Sequence, residues 1–353
     1  AATPSFGPPE ALVSPSSFKG VHGLAIDQQG RLLAGSVVGA SIYQVDIDSG
    51  EVTTLIEPDQ GQADDIAIGP RGEMAWTGFY SGEVLLRESD GAPIRVIAEG
   101  LPGINSIAFN QNTGQLYASQ VFLGDALWEI DPAGGQAPRL ITRDIGGFNG
   151  FEVGQDGWLY GPLWFKGQVV RINPRDGELK TVADGFHTPA AVNFNSRGLL
   201  YAVDTHAGTL IEINPETGVK RLAAQLATSL DNLAIDAQDR IFVSNMADNS
   251  IQQVDPVSGN ARTLTSGDLA VPAGIALSED GSRLYVTDVF AFRVVDTTSG
   301  EVTDLRRAHG SDIEYPSAVG LGRERLLLTS FATGTLQVIS RKDYATEIMI
   351  LDL

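Results

Sequence analysis

The chain has 353 residues, 42% of them hydrophobic, with 40 glycines and no cysteine, and its 24 basic against 44 acidic side chains leave a net charge of −20. That charge repels phosphate backbones and anionic membrane surfaces, which argues against nucleic acid as a partner. The lack of cysteine excludes disulfides, thiolate catalysis and sulfur-held zinc, and no apolar run approaches the roughly 20 residues of a membrane-spanning helix, so no membrane insertion is expected.

In chain order, residues 1–8 read as a flexible segment. Ala1-Ala2-Thr3-Pro4-Ser5 resembles the small-residue start left by signal-peptide cleavage, so a periplasmic or secreted location is expected. Glu10 to Ser14 aligns with the fourth strand of a repeat and is expected to pair with the last repeat and close a ring, removing open sheet edges. From about Gly23 to Leu353 one pattern recurs eight times at a period of about 41 residues, the amount of chain a four-stranded blade needs. The fifth repeat shows it most clearly. Ala191 to Phe194, Leu200 to Val203, Thr209 to Ile213 and Lys220 to Ala223 are short runs rich in branched and aromatic residues, bounded by turn residues. The links are too short for crossovers, so the sheets must be antiparallel. Asp or Asn at 46, 131, 173, 214, 255 and 296, each with Gly four residues later, marks the hairpin between third and fourth strands. The expected fold is an all-β propeller of eight four-stranded blades, or seven if a terminal repeat is incomplete, as a single domain over residues 1–353. Glu347 to Leu351 also reads as a fourth strand.

A propeller brings one equivalent residue per blade to its axis, so a periodic position becomes a spatial cluster. The residue ahead of each inner strand is His22, Asp64, Asn105, Asn149, Ala190, Asp231, Ala273 and Ser317. Asp64, Asn105, Asn149 and Asp231, with Asn232 beside the last, offer hard oxygen ligands suited to Ca2+ or a similar divalent cation. The plain alternative is that these groups bind water or cap loops. All four histidines fall at the same end of the blades: His22, His187, His206 and His309. Tyr80, Phe122, Phe148, Trp164, Phe165 and Phe331 fall in the same loops, and apolar walls around a few polar groups suit a small-molecule pocket. Three residues past the ring position small residues prevail, but Glu152 and Asn193 stand there in neighbouring repeats, expected to bond each other in a wet channel, with a place in the metal site from below as the alternative.

The runs His22-Gly23-Leu24, Asn105-Ser106-Ile107, Asn149-Gly150-Phe151 and Asp231-Asn232-Leu233 resemble the calcium-dependent propeller hydrolases of the SMP-30/gluconolactonase and paraoxonase group. In that group six blades are usual, and an acid, two Asn and an Asp ring a catalytic Ca2+. The resemblance implies that Asp64 takes the acid's place, Asn105 and Asn149 those of the amides, Asp231 with Asn232 the last corner, and His22 that of the base. It implies a lactonase or esterase acting on a small-molecule substrate, as a monomer. In repeat length and histidine placement the chain also resembles the streptogramin lyases, which implies a metal-assisted lyase or isomerase as one alternative, with His187 and His206 as the other candidate catalytic pair. A non-catalytic propeller binding a ligand or protein is the third reading.

Overall fold

Short branched and aromatic runs cut by Asn, Asp and Gly favour strands over helices. The computed structural model describes residues 7–8, 10–330 and 333–350, and over these the chain forms 32 strands in eight four-stranded antiparallel sheets, each running in sequence order from first strand to fourth. This is the β-propeller blade repeated eight times, and the blades span residues 24–56, 63–98, 104–143, 152–183, 189–225, 230–265, 274–307 and 318–350. No helix among the described residues is long and apolar enough to cross a membrane.

The hairpin between third and fourth strands closes as its residue types require. Gly50, Gly177, Gly218, Gly259 and Gly300 donate to the carbonyl of the Asp or Asn four residues earlier at 2.8–2.9 Å, each with φ between 71° and 76°. The third blade departs by one residue. There Gly134 takes the positive φ and bonds Asp131 O, while Gly135 bonds the Asp131 carboxylate.

The sheets fall into two compact units, Ser17–Gly267 and Ala1–Ser16 with Asp268–Leu353, where the period alone reads as one unbroken domain. The first unit holds blades 1 to 6 and closes on itself. Leu24, Ala34 and Tyr43 of blade 1 pack with Ala234, Phe242 and Ile251 of blade 6 and with Phe18 and Val21 of the entering chain. Asn249 of blade 6 pins that entry, donating to Phe18 O at 2.8 Å and accepting from Gly20 N at 3.0 Å. Similar clusters fill every blade junction of the unit, with Trp76, Tyr117 and Tyr201 fully buried between sheets. Each such side chain contributes on the order of 2–3 kcal/mol of hydrophobic stabilisation. Toward the axis, Ala25, Ala67, Ala108 and Ala234 are buried because larger residues would not fit between converging strands.

The second unit holds blades 7 and 8. Its buried charge pair is Asp288 with Arg293, at 2.8 Å, and Asp288 also accepts from the N–H groups of Ala270 and Val271. Glu10 to Ser14 forms no strand. In place of the expected closing ladder, the Leu12 carbonyl packs against Gly300 and Ser16 Oγ donates to Leu269 O. The fourth strand of the last blade is Thr346–Ile350. Residues 1–6, Phe331 and Leu351 lie outside the described residues.

Candidate functional site at the inner strands of the six-bladed unit

The inner strands of blades 2, 3 and 6 begin with a bulge at the ring position. In blade 2, Ala63 pairs with Gly78 and Ile66 with Trp76, so Asp64 and Asp65 stand opposite Thr77 alone. Asn105 and Ser106 stand likewise opposite Ser119, and Asp231 and Asn232 opposite Ser244. A bulge takes residues out of the ladder and leaves their backbone groups in need of partners. Short polar side chains supply them. Asp65 N donates to Thr77 Oγ1 at 3.1 Å and Asn232 N to Ser244 Oγ at 3.0 Å. The same two hydroxyls donate onward to the ring carbonyl of the next blade, Thr77 to Asn105 O and Ser244 to His22 O at 2.5 and 2.7 Å. The second bond joins blade 6 to blade 1.

Asp65, the neighbour of the ring residue, holds the axis together. Its Oδ1 accepts from Ile66 N at 3.0 Å and from Asn232 Nδ2 at 3.2 Å, and its Oδ2 from Ile107 N at 3.2 Å. One buried carboxyl thus links blades 2, 3 and 6. Burial pushes its pKa well above the usual carboxylate range, against the pull of the two backbone donors. Blade 1 reaches the same point through Gly23, whose N–H donates to Asp64 O at 2.7 Å; a Cβ there would lie 2.3 Å from that oxygen and 2.6 Å from Asp65 Cα. Asn232 serves this framework rather than standing free as a ligand, since its Oδ1 accepts from Leu233 N at 2.7 Å while its Nδ2 donates to Asp65.

Against this frame sit the groups that carry chemistry. His22 Nδ1 and Asp231 Oδ2 are 3.2 Å apart, with side chains 12% and 14% exposed, so solvent still reaches the pair. Burial works against the charged imidazole, but the hydrogen bond to Asp231 and the charges of Asp231 and Asp64 outweigh it and raise the His22 pKa. Asp64 is raised to about 7, first by burial and then by the Asp231 charge, with His22 pulling the other way. Blades 3 and 4 add amides. Ser106 Oγ donates to Asn149 Oδ1 at 2.8 Å and lies 3.0 Å from Asn105 Oδ1, and Gly150 N donates to Ser106 Oγ. The inner strand of blade 4 is cut to Glu152–Val153 here.

The residues present fit a hard cation on two observations. Two carboxylates crowd the axis, where burial and the Asp231 charge raise Asp64 to about 7 against the pull of His22. The amide oxygens of Asn105 and Asn149 face one another through Ser106, and the Asn149 oxygen also accepts from Gly150 N at 2.9 Å, a bond an ion would have to displace or share. Among the described residues no three His, Asp or Glu side chains are grouped to hold a metal, so an ion here would rest on Asp64 and Asp231 with amide oxygens completing its shell, a donor set suited to Ca2+.

The remaining sequence candidates fall in four places. His187 and His206 stack face to face, centroids 3.6 Å apart; Asp204 fixes this loop by accepting from the N–H groups of His187, Thr188 and Ala207, and burial and the neighbouring His187 lower the His206 pKa. Tyr80, Phe122, Trp164 and Phe165 form one aromatic ridge across blades 2 to 4, with Phe122 meeting Trp164 at 5.4 Å, Phe165 at 5.8 Å and Phe79 at 6.4 Å. Phe148 is not a pocket wall: it is fully buried and stacks on Phe151 at 5.0 Å. His309 belongs to the two-bladed unit with Ala273 and Ser317, its Nε2 3.0 Å from Tyr315 Oη. Glu152 and Asn193 do not bond each other as expected. Glu152 Oε2 accepts from Phe194 N at 2.5 Å and Asn193 Nδ2 donates to Val192 O at 2.6 Å. The hydroxyls Thr77 and Ser244 were not singled out in the sequence, although Thr or Ser recurring in second strands was a visible signal.

No protein-family model matches the chain, and no curated protein matches it. Solved structures similar to it are β-propeller proteins. A chain of the nidogen/laminin complex is 13% identical, covering 65% of this chain and 90% of its own, with a TM-score of 0.37. Virginiamycin B lyase from Staphylococcus aureus is 13% identical, covering 90% of this chain and 93% of its own, with a TM-score of 0.33.

Proposed function

We propose that the axial mouth of the six-bladed unit is the active site of a Ca2+-dependent hydrolase acting on a lactone or related ester, with His22 as general base. The observation that carries this reading is the contact of His22 with Asp231 beside Asp64, which sets an imidazole against two carboxylates at a partly open axis. Asp64 and Asp231, with the amide oxygens of Asn105 and Asn149, would hold the ion. When bound, it supplies Lewis acidity toward an ester carbonyl and its developing oxyanion. Asp231 orients the His22 ring through Nδ1, and the oriented imidazole would serve as the base toward water. Asp65, Thr77 and Ser244 keep these groups in register, and the ridge from Tyr80 to Phe165 offers apolar surface to the body of a substrate.

The test is calorimetric titration with Ca2+ followed by a lactone and aryl-ester panel. Binding that is lost in Asp231→Asn, and turnover that is lost in His22→Ala with Ca2+ binding retained, is the expected outcome. A protein that binds no divalent cation, or a His22→Ala variant with full turnover, would overturn it. The stacked His187 and His206 favour a second reading, a lyase or isomerase in which His206, held toward its neutral form, removes a proton next to a carbonyl. Product analysis separates the two, because hydrolysis incorporates water and elimination leaves a double bond.

A further inference from the structure

Glu152 opens into a second place on the six-bladed unit, independent of the axial mouth. The face bearing the hairpin turns holds a cleft of about 660 Å3 walled by blades 4, 5 and 6, within the size range of small-molecule sites. The inner strand of blade 4 contributes Glu152 to it, at a position where blades 1, 2, 3 and 6 carry alanine. One carboxylate oxygen is held by Phe194 N at 2.5 Å. Burial pushes the group up to about 7 and the Phe194 bond draws it down, with no basic side chain contributing.

Tyr160, across the ladder, gives its hydroxyl to Asp156 and accepts from Arg171. Asp236 is paired with Arg240 at 2.5 Å. The inner strand of blade 3, Ile104–Phe109, carries no charge. Among the residues lining the cleft one basic side chain, Arg197, stands against Glu152, Asp156, Glu216 and Asp236. The Tyr160 and Phe194 rings meet edge to face at 5.1 Å beside the carboxyl and form an apolar wall.

We propose that this cleft binds an organic amine cation with an apolar body, its ammonium group on Glu152 and its body against Tyr160 and Phe194. A half-buried carboxyl without a counter-charge is costly to ionise, and an ammonium ligand supplies that charge with hydrogen bonds from its N–H groups. An aromatic wall suits such a cation because ring faces attract positive charge while their edges pack its carbon body.

The probe is benzylamine, titrated calorimetrically against the whole chain at pH 6 and pH 8 in two buffers of different ionisation enthalpy. Because the amine binds the ionised carboxyl, affinity should be about tenfold higher at pH 8, with proton release at pH 6. Benzyl alcohol, which has the same body without the charge, should not bind. Glu152→Gln should abolish both the binding and its pH dependence while keeping the parent melting temperature at pH 5, and Arg197→Ala should tighten binding by removing a like charge. The proposal is overturned if benzylamine does not bind, if its affinity is the same at both pH values, or if Glu152→Gln binds it unchanged. Should Glu152→Gln fail to fold, the pH dependence and proton release of the unaltered protein decide. Ca2+ uptake that is lost in Glu152→Gln but kept in Asp231→Asn also overturns it. None of the amine readouts involves the axial mouth, so their failure leaves the hydrolase reading standing, and the reverse.

Discussion

Adjacent aspartates in one bulge have opposite duties. Asp65 accepts three hydrogen bonds from three blades, whereas Asp64 is raised to about 7 by burial and by Asp231 and belongs to the charged group around His22. Removing a buried acceptor strands its donors. Asp65→Ala is therefore expected to cost about 3–5 kcal/mol in denaturant unfolding, while Asp64→Ala stays within about 1 kcal/mol of the parent because it relieves a desolvated charge. Equal losses in the two variants would contradict this division. Titration follows from the same physics. His22, Asp64 and Glu152 all bind protons more tightly folded than unfolded, since their pKa values are raised. Their favourable contributions are fully present below the unfolded values and fade as pH rises through the folded ones, near 7 for the two carboxyls. The melting temperature should accordingly fall between pH 5 and pH 8 in metal-free buffer. Glu152→Gln should flatten that slope, and a parent melting temperature that rises over this window would refute the assignment.

At the scale of the element, the bulge turns a ladder into a site. Two residues face one, the spare backbone groups bind Thr77 or Ser244, and those hydroxyls lock the next blade. The ring residues were legible in the sequence because they precede a repeated apolar run. The bracing was not, because which of Asp64 and Asp65 turns toward the frame depends on a register shift that period-2 alternation does not encode. Glu152 was misjudged for a related reason: in a strand cut to two residues, its carboxyl opens into a cleft among the turns instead of meeting Asn193. The hairpin turns were readable almost to the residue, since Asp and Gly act there through local geometry alone. Gly23 tests the close approach of blade 1 to this bracing. Gly23→Ala would set a methyl 2.3 Å from Asp64 O, a clash with backbone that is expected to cost about 2–3 kcal/mol. Because Gly23 N also bonds that oxygen, His22 should be displaced from Asp231, read as a drop of the His22 pKa toward the ordinary histidine value by NMR titration. An unchanged stability and titration would show that the junction has slack the structure does not display.

For the molecule as a whole, the period counts blades but does not say which two meet. Eight repeats were legible because each blade writes its own turn and strand pattern; the return of blade 6 to blade 1 was not, because that junction is made of general apolar packing and scattered polar contacts, among them Ser244 with His22, Asn249 with Phe18 and Gly20, His22 with Asp231 and Arg262 with Ile47 O. The closed set of six keeps His22, Asp64, Asn105, Asn149 and Asp231 on one unit. A unit that buries its own sheet faces on every side needs no further chain to fold. The segment Ser17–Gly267 expressed alone should therefore show the far-ultraviolet signature of β structure and a single cooperative unfolding transition, and should keep the His22 titration of the whole chain. If the excised segment is unfolded, or melts without cooperativity, the closure of blade 6 on blade 1 is too weak to define a ring. The axial site would then depend on residues outside those six blades.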